Sequence, residues 1–292
     1  DVDIVAIQEV EDLDYFNQLV NSLDSYDGYI ESTFFAGLAY LYKPDIIQIN
    51  TIYEIYTTSE YWNYFPRSPM VMDFNYKDER YIIINNHYKC CGNGILDLDN
   101  TNDEETRRYY ANDLLKEYVD TNFSDENVVI LGDLNDILTD ASQNNVFQMF
   151  LDDKDNYLFA DFEIAAGPDS DYSYPSWPSH LDHILITNEL FDELEDDNSD
   201  IQTIKIEESL PGGWLAYDEN ISDHRPVALK LLADSSLSVS DIDNQKPIFI
   251  NYPNPFGSET NFEFNSTITP NKIDIYTIYG QKINSLQIEG KS

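Results

Sequence analysis

Up to residue 232 the apolar positions switch repeatedly between two periods. Residues 3–8 form a short apolar run that reads as a strand. Leu13, Phe16, Leu19, Val20 and Leu23 then recur at helical spacing. Residues 36–42 and 46–56 read as strands, the second with clear alternation, and residues 81–87 are a strongly β-branched run. Thr101 followed by Glu104 resembles a capping box. The helix it would open has the stripe Ala111, Leu114, Leu115, Tyr118 and Val119. Residues 128–131 are a fully apolar strand that runs into Gly-Asp-Leu-Asn-Asp. Phe147, Phe150 and Leu151 suggest a short helix, and residues 183–187 and 226–232 are two further strands. Strands interleaved with helices, some apolar on both faces and some alternating, predict an α/β layered fold.

From Ala233 the texture changes. A polar stretch without a period reads as a linker over residues 233–246. Beyond it, residues 249–251, 261–264 and 272–279 read as short strands separated by turn residues, a small all-β module over 247–292. This division, with residues 1–232 as the first domain, agrees with a length of 292 residues against about 150 per domain. No apolar run approaches the roughly 18 residues that cross a membrane. Residues 1–10 already read as buried strand and residue 1 is not Met, so the chain is expected to begin inside a domain, and missing targeting signals carry no weight.

Composition changes the picture in two places. The 42% hydrophobic and 14% aromatic content suffices for a sizeable core and excludes a mostly disordered chain. Lys+Arg number 16 against 55 Asp+Glu, a formal charge of −39. Such a field repels polyanions, and its plain reading is a solubility or high-salt surface. Acting on phosphate esters would need a local remedy such as a bound divalent cation. The acidic run at 192–200 reads as a solvated loop. The two cysteines, Cys90 and Cys91, are neighbours, which suits neither a disulfide framework nor a zinc site. Adjacent Cα atoms sit about 3.8 Å apart, short of the usual disulfide span of roughly 4.4–6.8 Å, so two buried thiols are expected rather than a strained bridge.

Four segments place polar residues at the ends of apolar strands, where layered α/β proteins put their sites. Glu9 follows the first strand, as either a surface cap or a hard-cation ligand. His87 ends the run 81–87, with Lys89 on the same face by the period of two. In the third segment Asp133 and Asn135 are two apart, and Gly132 permits close backbone approach; the alternative is a plain turn. The fourth is a pair: Asp182 beside His183, and Asp223 with His224. Asp next to His suits acid–base work, because a carboxylate orients an imidazole and raises its pKa. All four histidines, His87, His180, His183 and His224, fall in these segments.

In this order the segments resemble the endonuclease/exonuclease/phosphatase superfamily, the metal-dependent phosphoesterases that include pancreatic-type deoxyribonuclease. The resemblance covers residues 1–232. It implies a four-layer α/β sandwich with two central mixed sheets and an essential Mg²⁺, with Ca²⁺ or Mn²⁺ as alternatives. It implies that Glu9 binds the metal, with Asp223 a second metal-side carboxylate. His87 would serve as one acid/base group. Asp133 would orient or deprotonate the attacking water, and Asn135 would steady the transition state. Asp182 would pair with His224, the second acid/base group, at the scissile phosphate. The family's opening strand ending in Asn has no match here and is read as lost to truncation. The acid that partners His87 has only Glu31 as a poor candidate. Lys89, Arg107 and Arg108 are the candidate phosphate contacts, while Arg225 is assigned to a structural ion pair.

The tail carries a separate resemblance. Tyr-Pro-Asn-Pro-Phe at 252–256, then residues 260–264 and 272–283, look like a C-terminal sorting domain of the type IX secretion system, lacking its last strands. Pro253, Asn254, Pro255 and Phe256 match its opening turn, and Ile275, Ile278, Tyr279, Gly280 and Lys282 match a later strand. This implies the secretion machinery as a partner and a secreted or surface location in a Gram-negative cell. The leading expectation is a secreted, divalent-cation-dependent phosphodiesterase, a nuclease acting on DNA or RNA. One alternative keeps the fold but takes a lipid or a phosphate monoester; Tyr61, Trp62, Tyr64 and Phe65 could form a membrane hairpin, although a core strand pair is favoured. The other is an inactive Ca²⁺-binding surface protein, against which the joint presence of the site residues argues.

Overall fold

The computed structural model describes residues 2–232, 249–252, 259–264, 272–276 and 282–287. The chain divides into two compact units, Asp1–Ala233 and Asp234–Ser292. The elements of the first are β1 (Ile4–Val10), α1 (Leu13–Ser22), β2 (Asp27–Ile30), β3 (Gly37–Tyr42), β4 (Gln48–Glu54), β5 (Met70–Tyr76), β6 (Glu79–His87) and α2 (Glu104–Asn122). They continue with β7 (Asn127–Asp133), α3 (Gln148–Leu151), β8 (Tyr157–Phe159), α4 (Phe162–Ala165), β9 (Asp182–Thr187), α5 (Phe191–Glu195), β10 (Asp200–Thr203), α6 (Gly213–Asn220) and β11 (Val227–Lys230).

Two apolar faces on one strand explain the layering. In β6, Ile82 and Ile84 point one way and Ile83 the other, and all three are buried. The strand therefore has to be covered on both sides. It lies inside a six-stranded mixed sheet of order β4-β5-β6-β7-β9-β8. β6 and β7 are parallel and every other neighbouring pair is antiparallel. A parallel pair needs a crossover, and α2 supplies it. Its buried Ala111, Leu115 and Val119 pack on Ile82, Ile84, Val128 and Ile130, with Leu114 and Tyr118 partly buried beside them. The opposite face of the sheet, with Met70, Met72, Ile83, Val129, Ile184 and Ile186, meets Leu38 and Tyr40 of β3 and Val227 and Leu229 of β11. β1-β3-β2 is an antiparallel sheet, and β10-β11 is a separate antiparallel pair in the same layer. Phe16 and Val20 of α1 cover the outer face of the three-stranded sheet at Ala39 and Leu41. The four layers are thus helix, sheet, sheet, helix, the sandwich expected, with the second sheet in two antiparallel pieces.

Several local expectations need correction. The N-cap of α2 is Asp103, not Thr101; its side chain accepts from the Thr106 backbone N–H. Residues 57–65 are turns and bends, not a strand pair. Phe65 is buried and stacks on Tyr56, while Trp62 is exposed. Part of the run at 192–200 is helical, in α5, because Leu190 and Phe191 anchor it to the core between the sheets.

The second unit is described only in its strands. β12 (Phe249–Tyr252) pairs antiparallel with β13 (Asn261–Phe264), and β14 (Lys272–Tyr276) with β15 (Lys282–Gln287). Residues 233–246, Pro253–Phe256 of the sorting motif, and Ile278, Tyr279 and Gly280 lie outside the described residues.

Candidate active site

Register puts three of the expected residues in one row. His87 of β6 is opposite Asp133 of β7, and Asp133 is opposite Asp182 of β9. By strand alternation all three project into the space between the sheets, on the side of Ile83, Val129 and Ile184. Gly132 is what lets β6 and β7 close at this end. Its φ is +131°, and a Cβ there would run into the Asn86 carbonyl oxygen. Asn135 takes a left-handed backbone (φ 54°) just past β7, and Glu9 does so (φ 61°) within β1 beside a register shift. Left-handed Glu is rare, and such strain concentrates at sites held by their surroundings.

His224 arrives from another element. Its Nδ1 is 2.7 Å from Asp182 Oδ2, and its backbone carbonyl accepts from Tyr217 of α6 at 3.0 Å. Its ring packs against Tyr174 at a tilt of 35°, with 4.8 Å between centroids. Ser173 ties the two strand starts together: its Oγ accepts from the Leu181 and Asp182 backbone, and its carbonyl accepts from Arg225 N.

The two histidines are driven to opposite charge states. Burial, then the nearby Arg67 charge, then His224, push His87 down to about 3. Its Nε2 is 3.4 Å from Asp133 Oδ2 and 3.7 Å from Glu9 Oε1, while its Nδ1 is buried without a partner. For His224, burial pulls downward, but the Asp182 hydrogen bond and charge, then Asp133, hold it at about 9. Asp133 is pushed up to about 7 by burial first and the Asp182 charge second. At neutral pH His87 is a neutral imidazole and His224 an imidazolium. Paired groups pushed apart in this way are the mark of assigned acid and base roles.

Ligand atoms of Asp133, Asp182 and His224 all lie within 4.8 Å of one another. Asp133 receives one backbone N–H, from Asn135 at 3.0 Å, and faces a neutral His87. A buried carboxyl with raised pKa beside a second carboxylate is a place that a hard cation fits, and oxygen donors are the right kind. Glu9, exposed, reaches the same His87 nitrogen as Asp133 but is not one of these three residues. Asp223, expected on the metal side, is exposed and lies outside this group.

The expected phosphate contacts fare differently. Arg108 is a buried structural group: Nε meets Asp136 at 2.9 Å, and Nη1 donates to the Lys89 and Cys91 carbonyls at 2.7 Å each. Glu105 completes its pairing, because a buried guanidinium must be neutralised. Arg107 is turned to the Asn63 carbonyl. Lys89 lies beyond the end of β6, and its Nζ caps the Cys90 carbonyl at 2.9 Å. Arg225 forms the structural ion pair expected, with Glu207 at 2.6 Å. Glu31 accepts from Tyr29, and the carboxylates at His87 are Glu9 and Asp133.

Two residues were missed. Arg67 holds the Phe35 carbonyl through Nε at 2.7 Å and reaches 4.0 Å from Glu9, which makes it a cation at the mouth of the site. Its only sequence cue is an Arg two residues before a Pro and an apolar strand. Asp161 lies on the helix side of the sheet and binds both remaining histidines. Its Oδ2 is 2.6 Å from His183 Nδ1 and 3.1 Å from His180 Nε2. His183 Nε2 also donates to the Asp136 carbonyl at 2.8 Å; burial lowers the His183 pKa, but Asp161 and this carbonyl raise it above the ordinary value overall. Burial opposes ionisation of Asp161, but His183 and His180 hold it below the usual carboxylate range. This buried trio supports the sheet, and its histidines are structural.

Fold and site together define a phosphoesterase-type sandwich. The chain belongs to the endonuclease/exonuclease/phosphatase family, whose profile matches residues 1–224. No protein among the curated sequences compared matches it. Among solved structures it is similar to D. rerio TDP2 complexed with single-strand DNA product, with a TM-score of 0.58 at 15% identity over 79% of this chain and 86% of that one. It is also similar to a mannosyl-6-phosphatase of Bacteroides thetaiotaomicron, with a TM-score of 0.51 at 16% identity over 80% and 86%. The human Nocturnin catalytic domain with bound sulfate gives a TM-score of 0.50 at 17% identity over 78% and 81%.

Proposed function

We propose that this protein is a divalent-cation-dependent phosphodiesterase, a nuclease that hydrolyses DNA or RNA by in-line attack of water. The observation that carries the reading is the pairing of a charged His224 with a raised-pKa Asp133 across Asp182, all within 4.8 Å. A divalent cation held by Glu9, Asp133 and Asp182 would neutralise charge developing on the phosphoryl oxygens. The chain's own groups do the rest. Asp133, poised near neutrality, accepts or orients the proton of the attacking water. Asn135 offers its Nδ2, engaged only loosely with the Tyr88 carbonyl at 3.4 Å, to a phosphate oxygen. His224 presents its charge to the phosphate while Asp182 fixes its ring. His87 stays neutral and directs Nε2 toward Glu9 and Asp133.

A polymeric substrate is favoured over a small monoester by the aromatics at the rim. Phe34 and Phe35 are exposed on the loop whose carbonyl Arg67 holds. Trp177 is exposed on the turn closed by Tyr174 and Ser179, and Tyr174 packs at a tilt against His224. Such faces suit bases of any sequence. Residues 247–292 are proposed as a type IX sorting domain that directs the protein to the cell surface or medium, on the strength of the motif at 252–256 and the later strand. A reporter joined to this segment, extended by the last strands it lacks, should leave a cell that has that machinery and stay inside one that lacks it.

The test of activity uses the protein extended upstream so that the opening strand ending in Asn is restored, with plasmid DNA, RNA, sphingomyelin and a phosphate monoester, each with Mg²⁺ or with EDTA, beside His224→Ala. Metal-dependent cleavage of DNA or RNA that His224→Ala abolishes is the expected result. Cleavage of lipid or monoester alone would overturn the nuclease reading. Hydrolysis of none of the four would overturn the enzyme reading altogether.

A further inference from the structure

Cys90 and Cys91 were expected to be buried, and they are not. Both are exposed and both are free. They follow β6 by three and four residues, outside the phosphoester chemistry described above. Their Sγ atoms lie 2.9 Å apart, with the Cys91 thiol donating to Cys90. Side chains on consecutive residues of an extended strand point to opposite faces. Here the backbone turns instead: Cys91 has φ 72° and Gly92 φ 121°, which brings both sulfurs to one side. The turn is held from beneath. Arg108 Nη1 clamps the Lys89 and Cys91 carbonyls, and a Cβ at Gly92 would run into the Glu105 carboxylate. Lys89 Nζ lies 3.5 Å from Cys90 Sγ.

We propose that Cys90 and Cys91 form a thiol–disulfide exchange site that takes a small-molecule disulfide as its oxidant and closes reversibly to a vicinal disulfide. The two sulfurs have distinct roles. The hydrogen bond from Cys91, and then the charge of Lys89, move the Cys90 thiol down, while the same bond moves Cys91 up. Cys90 is therefore the attacking thiolate and Cys91 the resolving thiol. Cys90 Sγ attacks one sulfur of R–S–S–R and expels the first thiolate, leaving a mixed disulfide. Cys91 gives its proton to solvent, attacks Cys90 Sγ, and expels the second thiolate. The dithiol loses two electrons, the external disulfide gains them, and the two protons end on the two released thiols. A bridge between neighbours is shorter than disulfides prefer, so it opens readily when the oxidant is withdrawn.

The chain has only these two cysteines, so any thiol count reports on them. The native full chain is equilibrated with oxidised and reduced glutathione at a series of ratios, quenched with acid, alkylated, digested and weighed. At oxidising ratios the peptide carrying both cysteines should lose two hydrogens, retain no glutathione and resist alkylation, and dithiothreitol should restore both thiols. Cys91→Ser should stop at a single glutathione adduct. It should form that adduct faster than Cys90→Ser, because Lys89 Nζ lies 3.5 Å from Cys90 Sγ and favours its thiolate. Glutathione retained on the unsubstituted chain, disulfide-linked dimers, two alkylatable thiols at every ratio, or equal rates in the two variants would each overturn the proposal. None of these readouts depends on phosphoester hydrolysis.

Discussion

His224 keeps its proton at neutral pH because Asp182 faces its Nδ1, and Asp133 resists losing its own because burial and Asp182 oppose a second negative charge. The signs give a pH profile. Activity that needs Asp133 ionised rises with pH along a limb that lies at about 7 without a cation and lower with one bound, and activity that needs His224 protonated falls as pH passes about 9. A bell between those limits is expected in kcat/KM. Asp182→Asn should move the alkaline limb down toward the ordinary histidine value of about 6.5, while raising the divalent cation concentration should move the acid limb down, because a cation favours the carboxylate. An alkaline limb unmoved by Asp182→Asn would show that His224 is not the group being read. His224→Ala should lower kcat by about 10²–10⁴-fold. Arg67→Ala should mainly raise KM, since Arg67 contacts Glu9 and the loop carbonyl of Phe35, not the reacting row. A kcat effect larger than the KM effect would move Arg67 into the chemistry.

Elements explain why these side chains meet. β6, β7 and β9 put His87, Asp133 and Asp182 in register, and Gly132 keeps the first two strands close at that end. Gly132→Ala should cost about 1–3 kcal/mol from backbone conformation alone, more if Asn86 cannot yield, with a lower unfolding midpoint and a loss of activity together. Asp161→Asn takes the shared carboxylate from the buried His180 and His183 and should cost about 3–5 kcal/mol. Chemical denaturation would show it, and a residual native fraction of unchanged kcat would confirm that the trio is structural. The strands and α2 were legible because apolar periodicity is local, and the row was legible because polar residues ended apolar strands. Asp161 was not, since its meaning rests on histidines about twenty residues away across a sheet. Arg108 was misread for a related reason. An arginine beside motif residues looks like a phosphate contact until α2 turns it inward onto Asp136. The cysteines were expected to be buried thiols because only their spacing was legible; they are exposed, in a turn beyond the end of β6 that is left-handed at Cys91.

Over the whole molecule the charge of −39 works against a polyanionic substrate. Most basic nucleic-acid binders lose affinity as salt rises, with a log–log slope of roughly −0.9 per phosphate contact on duplex DNA and −0.7 on single strands. Here the number of such contacts is small. Arg108 is committed to Asp136 and Glu105, Arg107 to Asn63, Arg225 to Glu207 and Lys89 to the Cys90 carbonyl. Arg67, itself held by the Phe35 carbonyl and 4.0 Å from Glu9, is the cation at the mouth, so the unfavourable slope is shallow. Against it stands long-range repulsion, which added salt screens as the Debye length falls from about 30 Å at 0.01 M to about 10 Å at 0.1 M. Repulsion acts on approach, so it enters KM and the encounter rate. At fixed divalent cation, kcat/KM on polymeric DNA should therefore rise with monovalent salt over that range, while a small neutral-leaving-group phosphodiester shows little change. Arg67→Ala should steepen the rise by removing the opposing contact. A fall in kcat/KM as steep as that of a basic nuclease would mean that a cationic groove outweighs the mean field, and that the substrate path does not run past Arg67 alone.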